Sequence, residues 1–250
     1  MNILGRKSIT RLARSIITNA RDFVYPPLCI LCDNPLSKND PWFCDACIDK
    51  LNANASGRNA CPRCSQDRAR HACACHLVWD HPYERVYSLF DFDETVQAVA
   101  HQVKYRGKKS LAFHVGKRYA RLVPPEFLEG IDAAVAIPLH FRRKMKRGYN
   151  QAEYLAKGVL AGHGNSIPYL GKALKRTRHT RTQTKLDREQ REKNLKGAFG
   201  LNPGGADAVR GKNLMLVDDV VTTGATTAHC TRILLEEGAL SVRVLSLARD

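Results

Sequence analysis

The sequence reads as an α/β protein with a mainly parallel sheet and a small cysteine-rich module ahead of it. The sheet follows from short apolar runs that alternate with helical patterns beyond residue 84, since strands covered by helices on both faces need no polar side. The module follows from eight of the nine cysteines crowding between residues 29 and 75. A third feature gives the sheet a purpose. The run "LMLVDDVVTTGAT", Leu214 to Thr226, carries an apolar strand into two adjacent carboxylates, which resist desolvation and repel one another unless something positive meets them.

Size and charge set the limits. A chain of 250 residues and 28.0 kDa holds one full α/β domain plus a smaller module, and 44% apolar residues suffice for a core. Lys and Arg exceed Asp and Glu by 40 to 24, a net charge of +16 that favours phosphate-bearing partners or anionic membrane surfaces. Between Ala136 and Lys196 sixteen Lys or Arg face only Glu153, Asp187, Glu189 and Glu192, so +12 of the +16 lies there. No apolar run reaches the 18 residues of a membrane-spanning helix.

Residues 1–25 form the first element, a basic amphipathic helix. Ile9, Leu12, Ala13, Ile16, Ile17 and Ala20 share one face, with Arg6, Lys7, Arg11, Arg14 and Arg21 interleaved. Arginines inside the apolar stretch and the lack of a small-residue cleavage site argue against a secretory signal. Two uses stay open: docking on its own domain, or peripheral contact with a membrane surface or partner.

Residues 26–80 form the module. Cys29-x2-Cys32 and Cys44-x2-Cys47 are followed by Cys61-x2-Cys64 and Cys73-x-Cys75. Two residues between cysteines let a tight turn aim both sulfurs at one ion, and backbone N–H groups can then donate to the thiolates. Four pairs imply one or two structural Zn2+ sites of four cysteines, paired sequentially or crossed, with His71 or His76 able to replace a sulfur in the second. A disulfide framework competes, but not in a reducing compartment. Cys230 stands apart, on one helical face with Ile233 and Leu234, as a buried inert thiol.

Residues 84–250 form the α/β domain. Strands are expected at Arg85 to Asp91, Ala133 to Pro138, Ala198 to Leu201, Asn213 to Asp218 and Ser241 to Leu247. Helices are expected at Asp93 to Lys104, Ser110 to Leu122, Asn150 to Ala161 and Ala225 to Glu237. In such sheets ligands bind beyond the carboxyl ends of the strands. Asp218 and Asp219 then stand beside that crevice. The loop Thr222-Thr223-Gly224-Ala225-Thr226 enters a helix N-terminus, whose free N–H groups, dipole and hydroxyls suit a phosphate monoester. Two carboxylates alongside suit sugar hydroxyls and a Mg2+ ion. Together these describe a phosphorylated ribose. A capped helix with an incidental acidic pair would explain only part of the pattern.

"LMLVDDVVTTGAT" resembles the thirteen-residue phosphoribosyl pyrophosphate (PRPP) motif of type I phosphoribosyltransferases. The chain as a whole resembles the ComF/GntX family, in which a zinc-ribbon module precedes such a domain. The matching stretches are "PPLCILC", "CPRC", "VKYRGKKSLA", "AIPLHFRRKMKRGYNQAEYLAK" and "RTQTKLDREQREKNLKGAF", spanning residues 26–250. The resemblance implies the type I phosphoribosyltransferase fold behind a double zinc ribbon. It also implies a cytoplasmic protein of DNA uptake in competence, or of the use of external DNA, linked to single-stranded DNA and the inner membrane. By similarity Asp218 and Asp219, the residues assigned to catalysis, hold the ribose hydroxyls directly or through Mg2+, while Thr222 to Thr226 hold the 5'-phosphate. Pro138, Leu139 and His140 belong to the loop that meets pyrophosphate, with Arg142, Arg143, Lys146 and Arg147 near enough to neutralise it. For those four cations a solvated loop or nucleic-acid patch stays equally open. The basic segment Thr177 to Lys196 corresponds to the lid that closes over PRPP.

One departure bears on activity. Only 24 residues follow Thr226, without Phe, Tyr or Trp, so a hood that stacks on an acceptor base must come from elsewhere. The module and the stretch through Trp79, Tyr83 and Tyr105 are candidates, although each aromatic serves core packing equally. Three functions remain: pentosyl transfer from PRPP to an unidentified acceptor, a non-catalytic platform that binds single-stranded DNA, and a PRPP-sensing regulator.

Overall fold

The computed structural model describes residues 26–57, 60–69, 73, 75, 79–105, 107–164, 166–178, 195 and 197–249. The amino-terminal helix, His71, His76 and most of the expected lid lie outside the described residues. The chain divides into two compact units, residues 1–52 and 53–250.

In the first unit the Asp40 carboxylate, itself buried, accepts the N–H groups of Trp42 and Phe43, each at 2.9 Å. That turn feeds helix α1 (Asp45–Ala53), which buries Cys47, Ile48 and Leu51.

The second unit runs β1 (Val86–Asp91), α2 (Glu94–Gln102), α3 (Lys109–Tyr119), α4 (Pro125–Leu128), β2 (Ala133–Ala136), α5 (Phe141–Arg147), α6 (Gln151–Gly162), β3 (Leu174–Arg176), β4 (Phe199–Leu201), α7 (Gly205–Val209), β5 (Asn213–Val221), α8 (Ala225–Glu236) and β6 (Ser241–Arg249). The main sheet is parallel throughout, in the order β1-β6-β5-β2. Interior position explains the unbroken apolar runs: Leu214, Met215, Leu216 and Val217 of β5 are all fully buried. Leu214 pairs with both Ala133 and Val242, and Val217 with both Ala136 and Leu245, so the carboxyl ends of β2, β5 and β6 stand side by side.

Caps fix the helices. Asp93 accepts the N–H of Val96 at 2.7 Å to start α2, and Asn150 accepts that of Ala152 at 3.2 Å to start α6. Helices α3 and α6 cross at Gly116 and Gly158, where a Cβ would stand 2.5 Å from the Leu155 carbonyl oxygen or 2.2 Å from that of Phe113. Only glycine permits that approach.

Three details differ from expectation. The run 198–201 contributes strand β4, yet it pairs antiparallel with β3 in a separate hairpin, because alternation identifies a strand without naming its partner. The cationic stretch after His140 is helical, as α5, although its pattern offers no apolar face to read. Strand β5 continues three residues past Asp218, so the acidic pair lies within the strand.

Candidate functional site

The site is built where β2 and β5 finish. After β2 the chain passes through Ile137, whose N–H donates to the Val217 carbonyl at 2.9 Å, and through the half-buried Pro138 and Leu139 to His140. His140 is buried and caps α5, its Nδ1 accepting the Arg142 N–H at 3.4 Å. Gly148 ends α5 in the left-handed region, and Asn150 donates from Nδ2 to the Ile137 carbonyl at 2.9 Å. This tie holds the start of α6 against the exit of β2.

Because side chains alternate along a strand, adjacent aspartates meet different surroundings. Asp219 accepts the Gln151 Nε2–H at 2.8 Å and lies 3.8 Å from Lys104 Nζ. Burial pulls its carboxyl upward, but the Lys104 ammonium and the Gln151 amide outweigh burial and hold it below the usual carboxylate range. Asp218 accepts the Asp219 N–H at 2.8 Å and, among the described residues, has no cation at contact distance; burial first, then the Asp219 charge, pushes its carboxyl well above that range. Arg176 on β3 and Cys230 on α8 both feel the Asp218 charge. Among the described residues the cation in contact with the acidic pair is Lys104, with Arg147 and Arg176 in its field.

Lys104 is held by its neighbours. The buried Tyr149 hydroxyl donates to the carbonyl of Val103 and, at 3.1 Å, to that of Tyr105. Burial pushes Tyr149 up to about 12, so it remains a donor. Arg147 is half-buried within the field of Asp219 and Arg143. Arg142 and Lys146 are exposed.

Beyond β5, Thr222 and Thr223 are exposed, Gly224 is buried, and Ala225 and Thr226 are half-buried at the start of α8. Gly224 takes φ 75°, a left-handed value that an L side chain adopts only with strain. Thr227 Oγ1 donates to the Gly224 carbonyl at 2.8 Å and closes the turn. The first-turn N–H groups of a helix have no intrahelical acceptor, and no side chain caps those of α8 among the described residues. Cys230 is fully buried on the same helix; burial and then the Asp218 charge push its thiol up.

The fold thus brings the acidic pair, the threonine loop, the 137–140 loop and the arginine helix to neighbouring strand ends. Sequence reading missed Lys104, Gln151, Tyr149 and Arg176. All four lie at least 40 residues from Asp218; Lys104, Tyr149 and Gln151 fall inside the longer stretches of family resemblance, whereas Arg176 falls in none of them and carried no sequence signal. Of the aromatic candidates for a hood, Tyr83 is buried, Trp79 half-buried and Tyr105 half-exposed.

The eight module cysteines fall into two groups paired in sequence order, Cys29, Cys32, Cys44 and Cys47, then Cys61, Cys64, Cys73 and Cys75. Within each group the sulfurs all lie within 4.8 Å of one another. Cys32 Sγ is 3.5 Å from both Cys44 and Cys47; Cys61 is 3.2 Å from Cys75, and Cys64 is 3.3 Å from Cys73. A tetrahedral zinc with Zn–S of about 2.3 Å spaces its sulfurs about 3.8 Å apart, so the first group fits with small adjustment, and the second fits once Cys73 and Cys75, 2.8 Å apart, separate by about 1 Å. Burial opposes ionisation of Cys29 and Cys61, yet backbone N–H groups outweigh it and bring them to about 7 and about 6, whereas burial pushes Cys44, Cys47, Cys64 and Cys75 up. Thiolate is the form a metal binds.

Fold and site define an α/β protein with an acidic pair and a threonine loop at the end of β5, beside the end of β2, and two four-cysteine groups that could hold a metal. No protein-family model matches the chain. It is 32% identical over 234 residues to the DNA utilization protein YhgH of Salmonella typhimurium, covering 90% of this chain and 97% of that one. It is 27% identical to competence protein F of Haemophilus influenzae, covering 88% and 96%. The chain belongs to the ComF/GntX family of these proteins. Among solved structures, a glutamine PRPP amidotransferase from B. subtilis overlaps 59% of this chain and 30% of its own, at 20% identity and TM-score 0.39, too loosely to bear on the ligand.

Proposed function

We propose that the protein binds a phosphorylated ribose, PRPP with Mg2+, and acts in DNA uptake or the use of external DNA. The observation that carries this reading is the meeting of Asp218 and Asp219 with the Thr222–Thr226 loop at one strand end. The loop N–H groups and the α8 dipole take the 5'-phosphate. Asp219, held low by Lys104 and Gln151, accepts hydrogen bonds from the sugar hydroxyls, and Asp218 beside it would supply a second carboxylate to a bound cation. Asp218 and Asp219 would hold Mg2+, which would offset their repulsion and the charge of the leaving pyrophosphate. Pro138, Leu139 and His140, with Arg142, Arg143, Lys146 and Arg147, line the pyrophosphate side. Loss of pyrophosphate from C1 leaves a cationic sugar, which needs positioned charge more than a dedicated base. The two cysteine groups hold Zn2+ as structural centres with no open coordination position.

A second reading, a platform for single-stranded DNA, is favoured by α5. This helix buries none of its residues, and Phe141 at 62% and Met145 at 75% exposure sit among five cations. Apolar groups interleaved with cations suit stacked bases and phosphates. Incubation with PRPP, Mg2+ and a pool of bases and nucleotides separates the two readings. Pyrophosphate release above the PRPP-only rate supports transfer; none with any acceptor leaves the platform.

A further inference from the structure

The second cysteine group is tied to the threonine loop by a continuous set of contacts. Arg63, within the Cys61-to-Cys64 knuckle, donates from Nη1 to the Cys75 carbonyl at 3.2 Å and so spans both halves of the group. Its guanidinium also lies over the Trp79 ring, 5.3 Å from the centroid, in a cation–π contact. Trp79 meets His81 and Tyr83 edge-on at 5.0 and 5.7 Å, and its Nε1–H donates to the Tyr83 carbonyl at 2.8 Å. His81 and Tyr83 stack with centroids 4.9 Å apart and planes 9° apart. The stack ends on Gly224, where a Cβ would stand 2.5 Å from Tyr83 Oη and 3.4 Å from His81 Cε1. The knuckle itself is anchored to β1: Val86 N–H donates to the Arg63 carbonyl at 2.7 Å, and Ser88 N–H to Ser65 Oγ at 2.9 Å.

We propose that Arg63, Trp79, His81 and Tyr83 form a clamp through which the Cys61, Cys64, Cys73 and Cys75 group, in its metal-bound form, sets the shape of the Thr222–Thr226 loop. Phosphoribosyl binding then depends on the metal state of this group and not of the first. The inference rests on reading that loop as the phosphate subsite. A phosphate loop binds well only when its N–H groups are aimed in advance, since ordering them on binding costs affinity. Gly224 is held in its left-handed turn from within α8 by Thr227 and from outside by the aromatic pair. If the sulfurs part, Arg63 loses the Cys75 carbonyl, Trp79 loses its cation, and the loop loses its outer wall. Positioning, not contact with ligand, is the role of these four residues.

The test measures hydrogen exchange of the peptide spanning Thr222 to Thr227 in the full chain, together with metal content and calorimetric titration of ribose 5-phosphate with Mg2+. Trp79→Ala and Arg63→Ala keep every cysteine. They should retain the wild-type zinc content yet speed exchange of this peptide about fivefold and weaken ribose 5-phosphate by a similar factor, while Trp79→Phe restores both. Cys75→Ser should lower the zinc content and loosen the loop by a similar factor, whereas Cys47→Ser, in the first group, should lower the zinc content and leave the loop unchanged. Wild-type exchange of the loop in Trp79→Ala and Arg63→Ala overturns the clamp, as does equal loosening by Cys47→Ser. The two readings fail separately. A loop that loosens as described in a protein that never binds ribose 5-phosphate keeps the clamp and discards the ligand. Tight binding that no variant disturbs does the reverse.

Discussion

Asp218 and Asp219 are chemically the same residue twice, and their surroundings make them different. Asp219 is held ionised by Lys104 and Gln151, so it adds stability above the ordinary carboxylate range and loses it as pH falls. Asp218 is raised, so the fold loses stability as pH climbs from that range toward the folded value. Asp218→Asn should therefore stabilise the ligand-free protein by roughly 1 kcal/mol at pH 7, whereas Asp219→Asn should destabilise it by a similar amount. Urea denaturation at pH 5 and pH 7 checks both signs; equal effects of the two variants would contradict the asymmetry. At Gly224, φ 75° and the 2.5 Å approach to Tyr83 predict that Gly224→Ala costs about 1–3 kcal/mol in thermal denaturation. A neutral outcome would mean that the turn is not held as described. The need for a positive group beside the acidic pair was legible in one strand of sequence. The identity of that group was not, because Lys104 and Gln151 arrive through tertiary folding.

At the scale of elements, strands and helices with a buried face were legible. The runs at β2, β5 and β6 are apolar because neighbours cover them, and α2, α3, α6 and α8 show the 3.6-residue period of helices packed on one side. What packing does not mark was missed. Helix α5 has no buried face, so only the His140 cap and the Gly148 stop define it. Partnership of β4 with β3 is likewise invisible to local pattern. Exposure of α5 carries a prediction of its own. If its cations meet the phosphates of single-stranded DNA, Arg142→Ala with Lys146→Ala should shallow the salt slope of oligonucleotide affinity by about 1.4, and Phe141→Ala should weaken binding about tenfold. A slope that does not move, read by fluorescence anisotropy across a salt series, would remove α5 from any DNA contact.

At the scale of the whole molecule, each compact unit carries its own four-cysteine group. Within residues 26–52 the buried apolar side chains besides the cysteines are Phe43, Ile48 and Leu51, a small apolar area for a unit to stand on, so a metal in the first group is expected to add to its stability. Elemental analysis should find about two zincs per chain, and chelation should unfold this unit before the α/β unit. One zinc per chain would leave one group as free thiols. Among the described residues no helix is long and apolar enough to cross a membrane. The central claim, a phosphoribosyl ligand seated between the acidic pair and the threonine loop, is tested most directly by titrating PRPP with Mg2+ into wild type and into Asp218→Ala/Asp219→Ala. Binding to the wild type, with heat lost in a double variant that still melts cooperatively, is the predicted result. Equal affinity in both proteins would contradict it.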